Sequence, residues 1–181
     1  MRTVYASDGT GNPGRVLRAC RRTGAITSVQ HRPDQPAPVI LVASGRPIRE
    51  FRTLRWGLIP GWAKDPAVGN RMINARAETV AEKPAFRSSF LLRRCLIVSD
   101  GFYEWKKEPR RKQPFYIRMR DDIPFAFAGL WEHWEGEDGL PIDSCTLLTT
   151  QPNDVLRPIH DRMPVILHPA NYDLWLDPEM D

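Results

Sequence analysis

Cysteine is scarce in this 181-residue chain, and lysine is scarce beside arginine. The three cysteines, Cys20, Cys95 and Cys145, are scattered and form no C-x-x-C pair. An odd, dispersed set excludes a disulfide framework and a zinc ribbon, and fits a reducing cytoplasm. The four histidines, His31, His133, His160 and His168, stand at no usual ligand spacing from one another or from cysteine. No metal site is therefore expected. No apolar run approaches the length of a membrane span. The segment from Met1 to Gly9 lacks the apolar stretch of a secretory signal, so export by that route is not expected. There is no G-x-x-x-x-G-K-[ST] loop and no G-x-G-x-x-G, which argues against nucleotide hydrolysis and against a dinucleotide; no cofactor is expected. No internal repeat and no low-complexity tract is present.

What is present is ordinary globular composition, with 41% hydrophobic residues, and an uneven distribution of charge. A chain of this length buries roughly 70% of its unfolded surface and needs no staple. The net charge is +4, and 21 of the 26 basic residues are arginine. Residues 1–60 hold ten arginines against three acids, while the remainder is slightly acidic. Arginine presents a planar fork that suits phosphate, and clustered base is the footprint of a nucleic-acid binder. Ordinary solubility charge is the plainer reading of the same numbers.

Residues 7–14 are all turn formers, and 15–36 are arginine-rich and without clear period, so no element is predicted there. We read 1–36 as a basic N-terminal segment with little order and 37–181 as the folded domain. Pro38–Val42 and Phe51–Trp56 predict a hairpin around Ser44–Pro47. Residues 57–78 form a long structured loop carrying Trp62, Asn74 and Arg76. Thr79 and Glu82 fit a capping box, and Pro84 suits the first position of a helix. Phe86 and Phe90 lie four apart on one face. Cys95–Val98 reads as a buried strand, and Asp100-Gly101 signals a tight hairpin turn. Phe102–Lys106 and Phe115–Met119 read as strands around a basic loop from Lys106 to Lys112. Phe125–Leu130, Ser144–Thr149 and Val165–Leu167 are further strands. Tyr172, Trp175 and Leu176 form the apolar face of a last short helix. About eight short strands without β-α alternation predict an α+β fold: a single domain with an antiparallel, curved or barrel-like sheet and a few short helices.

Three stretches place polar residues in awkward company. In Phe102-Tyr103-Glu104-Trp105 both faces of a strand are aromatic, so Glu104 is a carboxylate in an apolar setting. Desolvation raises such a pKa, and a carboxyl near neutrality both gives and takes a proton. Pairing with an arginine is the structural alternative. In Pro158-Ile159-His160-Asp161-Arg162-Met163-Pro164, two prolines stiffen a segment presenting His160 as acid or base and Arg162 for phosphate. A capped surface turn is the alternative. In Ile73-Asn74-Ala75-Arg76, an extended chain points Asn74 and Arg76 to one side, an amide beside a phosphate fork. Trp62 suits stacking on a base, or a cap over a core; Pro33 suits either as well.

Four strings together, Arg55–Ala63, Ile73–Thr79, Asp100–Lys106 and Ile159–Pro164, are in order and spacing similar to the SRAP family (SOS response-associated peptidase, abasic site processing proteins). The resemblance implies binding of single-stranded DNA carrying abasic sites, in the DNA damage (SOS) response, with hydrolase, protease or lyase character in self-processing and covalent protein–DNA linkage. In the family, an N-terminal Cys exposed by loss of Met attacks the sugar aldehyde through its amine, and its thiol closes a thiazolidine. The resemblance implies that Asn74 positions the nucleophile, Glu104 shuttles protons and His160 assists sugar opening. It implies that Arg76 and Arg162 hold phosphates and that Trp62 and Pro33 pack against splayed bases. Arg2 stands at the position of the family's Cys, and Gln30 at that of an Asn before Pro33. Two other readings follow: a non-covalent binder of single-stranded or abasic DNA, and a peptidase-type hydrolase built on Glu104 and His160. The expected protein is a cytoplasmic monomer, nucleoid-associated when DNA-bound, that engages no membrane and no metal.

Overall fold

The computed structural model describes residues 5–6, 17–21, 35–42, 48–121, 123–136 and 139–179, the first two segments as backbone only. In chain order the strands are β1 (Tyr5–Ala6), β2 (Leu17–Arg21), β3 (Pro36–Val42), β4 (Arg49–Trp56), β5 (Asn74–Arg76), β6 (Arg94–Ser99), β7 (Phe102–Glu108), β8 (Arg111–Met119), β9 (Phe125–Glu135), β10 (Pro141–Thr150), β11 (Met163–Pro164) and β12 (Ile166–Leu167). Among the described residues two short α-helices, α1 (Arg87–Leu92) and α2 (Tyr172–Leu176), and two 3-10 turns, Pro66–Arg71 and Pro169–Asn171, join them. The α+β, sheet-dominated architecture read from the sequence is the one observed. No helix among the described residues is long and apolar enough to cross a membrane.

The chain divides into two compact units. One comprises 31–98, 126–150 and 164–181 and is built on a closed sheet. Its strands run β10-β4-β3-β6-β9, and β9 pairs with β10 to close the circle. Closure removes the exposed edges that an open sheet of this size would carry. Strand β3 shows why the sequence suits it. Ala37, Val39 and Leu41 point inward and are buried, and the residues between them are more exposed, the period-2 pattern of a one-sided strand. Strand β9 is buried along nearly its whole length. Gly129 admits its neighbours there: a Cβ would sit 2.8 Å from Ile97 Cδ1 and 3.0 Å from Cys95 Sγ.

β3 pairs antiparallel with β4 and β6, and β9 with β10 and β12, while β10 takes β4 and then β5 in parallel. Leu147 faces Gly129 of β9 on one side and Asn74 of β5 on the other, so β5 follows β4 along the same side of β10. The long segment between them is folded back rather than loose. Leu58 N–H donates to Met72 O, Trp56 Nε1 donates to Ile73 O, and Ile59 N–H reaches the buried Ser144 Oγ. Gly57 (φ +119°) and Gly69 meet backbone to backbone, and a Cβ on either would lie 2.5 Å from the other's carbonyl oxygen.

Thr79 and Glu82 do not open a helix. Glu82 and Lys83 N–H both bond to Thr79 O and close a turn, and α1 starts three residues beyond Pro84 without a side-chain cap. Phe86 and Phe90 keep their shared face and pack on a core of Leu58, Val80, Leu130 and Leu148. Leu176 of α2 packs with Leu96 and Ala126, and Trp175 Nε1 donates to Cys95 O.

The other unit comprises 1–30, 99–125 and 151–163 and holds a four-stranded antiparallel sheet, β1-β2-β8-β7. Strand β2 lies within the arginine-rich stretch where no element is predicted; its pairing with β8, Leu17 opposite Met119 to Arg21 opposite Phe115, supplies the order that local sequence does not. Asp100-Gly101 closes no hairpin, because β6 and β7 belong to different sheets. A type I′ turn needs positive φ, which Gly101 lacks. Its small size is used instead against Tyr116, whose Cζ and Oη would lie 2.5 Å from a Cβ there. The basic loop is also shorter than the sequence suggests: β7 and β8 pair as far as Glu108 and Arg111, leaving Pro109-Arg110 as the turn and Lys106, Lys107 and Lys112 in strands.

Candidate active site

Strand β7 is half-buried from Phe102 to Lys106, as aromatic side chains on both faces dictate. Tyr103 lies 4.9 Å from the ring of Tyr116 across the strand pair and 6.3 Å from that of Trp105 along it. Glu104 lies on the other face of the strand, the side of Phe102 and of the cross-strand Phe115. Burial pushes its carboxyl above the ordinary carboxylate range, and the nearby Asp161 adds to the rise. His160 and the Trp105 N–H, which donates to the carboxylate, pull the other way without cancelling it. The raised pKa read from the sequence is present, with desolvation as its leading cause.

His160 is held by its own neighbours. Asn153 Oδ1 accepts from the N–H groups of Val155 and Leu156, and a helical turn there ends with His160 N–H on Leu156 O. The ring Nδ1 lies 3.1 Å from Arg162 N, 3.2 Å from Arg162 O and 3.2 Å from Asp161 Oδ1. In the neutral ring Nδ1 accepts the Arg162 N–H when the proton sits on Nε2, and donates to the Arg162 carbonyl when it sits on Nδ1. In the imidazolium, Nδ1–H donates to the Arg162 carbonyl or to Asp161. The ring thus finds a partner in either state without turning, which suits a group that exchanges protons.

Glu104 and His160 line one open cleft of about 280 Å³ with Trp105, Lys107 and Lys112. The structure therefore brings two of the sequence-predicted residues together, with Arg162 two positions beyond. It adds Lys107 and Lys112, from the run that the sequence predicts as a basic loop. Counting the turn at Pro109-Arg110 puts them opposite each other, a signal that was available.

In the other unit Asn74 and Arg76 are exposed on the outer side of β5, with Ala75 buried between them. The shared side expected from an extended chain is observed; Ala77 N–H and Thr149 Oγ1 fix the strand to β10. Trp62 is 65% exposed at a turn after Pro60 and caps no core. Arg2, Gln30 and Pro33 lie outside the described residues. No group of three or more potential metal ligands occurs among the described residues.

These motifs, on this sheet arrangement, define a family. The profile of the SOS response associated peptidase family (SRAP) matches residues 17–181, and the chain belongs to it. It is 53% identical over 127 residues to the abasic site processing protein YoqW of Bacillus subtilis (strain 168), covering 70% of this chain and 57% of YoqW. It is 34% identical over 141 residues to the abasic site processing protein HMCES of Xenopus tropicalis, covering 66% of this chain and 42% of that one. A crystal structure of a Bacteroides thetaiotaomicron protein superposes with a TM-score of 0.75 at 31% identity, over 82% of this chain and 65% of that one. The chain thus spans about half the length of these curated relatives.

Proposed function

We propose that the chain recognises abasic sites in single-stranded DNA and acts on the opened sugar there. The observation that carries this reading is the cleft in which a carboxyl pushed up by burial, Glu104, stands beside the poised ring of His160. An abasic sugar must open its ring before its C1′ aldehyde can react. Ring opening needs a proton at the ring oxygen, and imine formation needs one on the departing hydroxyl, which leaves as water. Glu104 supplies and recovers those protons, and His160 Nε2–H donates to the sugar oxygen. Asn74 orients the attacking amine, Arg76 and Arg162 hold flanking phosphates, and Trp62 and Pro33 support the splayed bases. The family relatives named for abasic site processing support this assignment.

A denaturing gel tests it. The chain and its Arg2→Cys variant are mixed with single-stranded DNA carrying one abasic site. A heat-stable shifted band from the variant alone is the expected result, showing a competent scaffold that lacks only the thiol. A band from both would assign the adduct to an amine instead. No band from either, with binding retained on a native gel, would establish the non-covalent reading. No binding at all would overturn the proposal.

A further inference from the structure

The β7–β8 hairpin sets two lysines where a sheet ordinarily avoids them. The register places Lys107 directly opposite Lys112, both exposed. Directly opposed side chains on one face have Cβ atoms about 4.5–5.5 Å apart, and like charges there repel. The rung nearer the turn is arranged the other way: Glu108 faces Arg111, and the two pair at 3.2 Å. Neither lysine has an ion-pair partner among the described residues. The preceding rungs on the same face are Trp105 opposite Pro114 and Tyr103 opposite Tyr116, uncharged and largely aromatic. Glu104, which lines the cleft, accepts from the Trp105 N–H, and Asp161 lies 3.2 Å from the His160 ring nitrogen. Both lysines nevertheless line the cleft of Glu104 and His160.

We propose that Lys107 and Lys112 clamp one phosphodiester of a single DNA strand whose neighbouring nucleotide occupies that cleft. The inference rests on the reading of the cleft given above. A phosphodiester carries two non-bridging oxygens and can take one donor from each ammonium, which turns repulsion across the rung into attraction. Lysine is a point charge on a flexible stem, suited to holding a phosphate irrespective of base sequence.

The test uses the full chain, a Lys107→Ala/Lys112→Ala variant and a Lys112→Glu variant. The probe is a short fluorescent single strand carrying one tetrahydrofuran abasic analogue, with affinity read by anisotropy across a salt series. The double variant is expected to bind about tenfold more weakly. Its slope of log K against log salt is expected to be shallower by about 0.7, one single-strand phosphate contact. Lys112→Glu is expected to weaken binding further while raising the Tm of the free protein, since Lys107 then faces an opposite charge. A variant that merely misfolds moves affinity and Tm the same way. Unchanged affinity and slope in both variants, with the parent chain binding, overturn the clamp and leave the reading of the cleft standing. No binding by the parent chain overturns both.

Discussion

Glu104 links the chemistry of the cleft to the stability of the fold. Burial holds its folded-state pKa above the ordinary value, so the folded chain binds this proton more tightly than the unfolded chain does. The stability it contributes is complete below the unfolded pKa and is lost as pH rises through the folded one. Glu104→Gln removes that loss. The variant is expected to melt higher than the parent at neutral pH, with the two curves converging below about pH 4, as thermal scans across pH will show. In an Arg2→Cys background the same change is expected to slow adduct formation by roughly 10²–10⁴, with little effect on binding read by anisotropy. Gly101→Ala tests packing rather than charge. Its Cβ would lie 2.5 Å from the Tyr116 ring and 2.7 Å from Ile117 O, so urea unfolding is expected to show a loss of about 1–3 kcal/mol. The elevated Glu104 was legible in the sequence because aromatic residues alternate on both faces of its strand. The Tyr116 contact was not, because nothing local to Gly101 names the ring that covers it.

At the scale of elements, alternation marks the strands, while turn and cap signals and register do not decide how they join: Asp100-Gly101 closes no hairpin and Thr79 opens no helix. β3, β9 and β10 are apolar enough to declare themselves; β4 offers only Phe51, Leu54 and Trp56 among charged residues, and β5 lies where the sequence predicts a structured loop. The basic run from Lys106 to Lys112 looked like a loop because charge marks solvent, yet the edge of a hairpin is solvent too. The polar contacts that tie elements together join residues distant in sequence. Glu132 on β9 is buried and accepts from Ser89 Oγ of α1 at 2.9 Å, while Arg93 Nη2 approaches it at 2.7 Å. Arg93→Met leaves that carboxylate without its countercharge. Chemical denaturation is expected to show a loss of about 3 kcal/mol, far more than for an exposed pair such as Arg157 with Asp154.

For the whole molecule, the thiols report on the integrity of the closed sheet. Cys95 and Cys145 are fully buried and unpaired, and burial pushes Cys145 up to about 12 and Cys95 well above its usual value. In a Cys20→Ser protein neither is expected to react with Ellman's reagent until the sheet opens, and both then react together as denaturant is raised. Rapid reaction of one thiol in the native protein would show that its strand opens alone. The sequence by itself determined the sheet-rich class, the four family strings, the raised carboxyl at Glu104 and the shared side of Asn74 and Arg76. All of these depend on residues within a few positions of one another, where period-2 geometry and side-chain chemistry act directly. Only the tertiary structure decided that β10 takes β4, β5 and β9 as partners, that Asp100-Gly101 leads from one sheet into another, and that Lys107 faces Lys112 beside His160. Those outcomes depend on strand order and register, which are set by burial among residues up to a hundred positions apart and are written in no single segment of the chain.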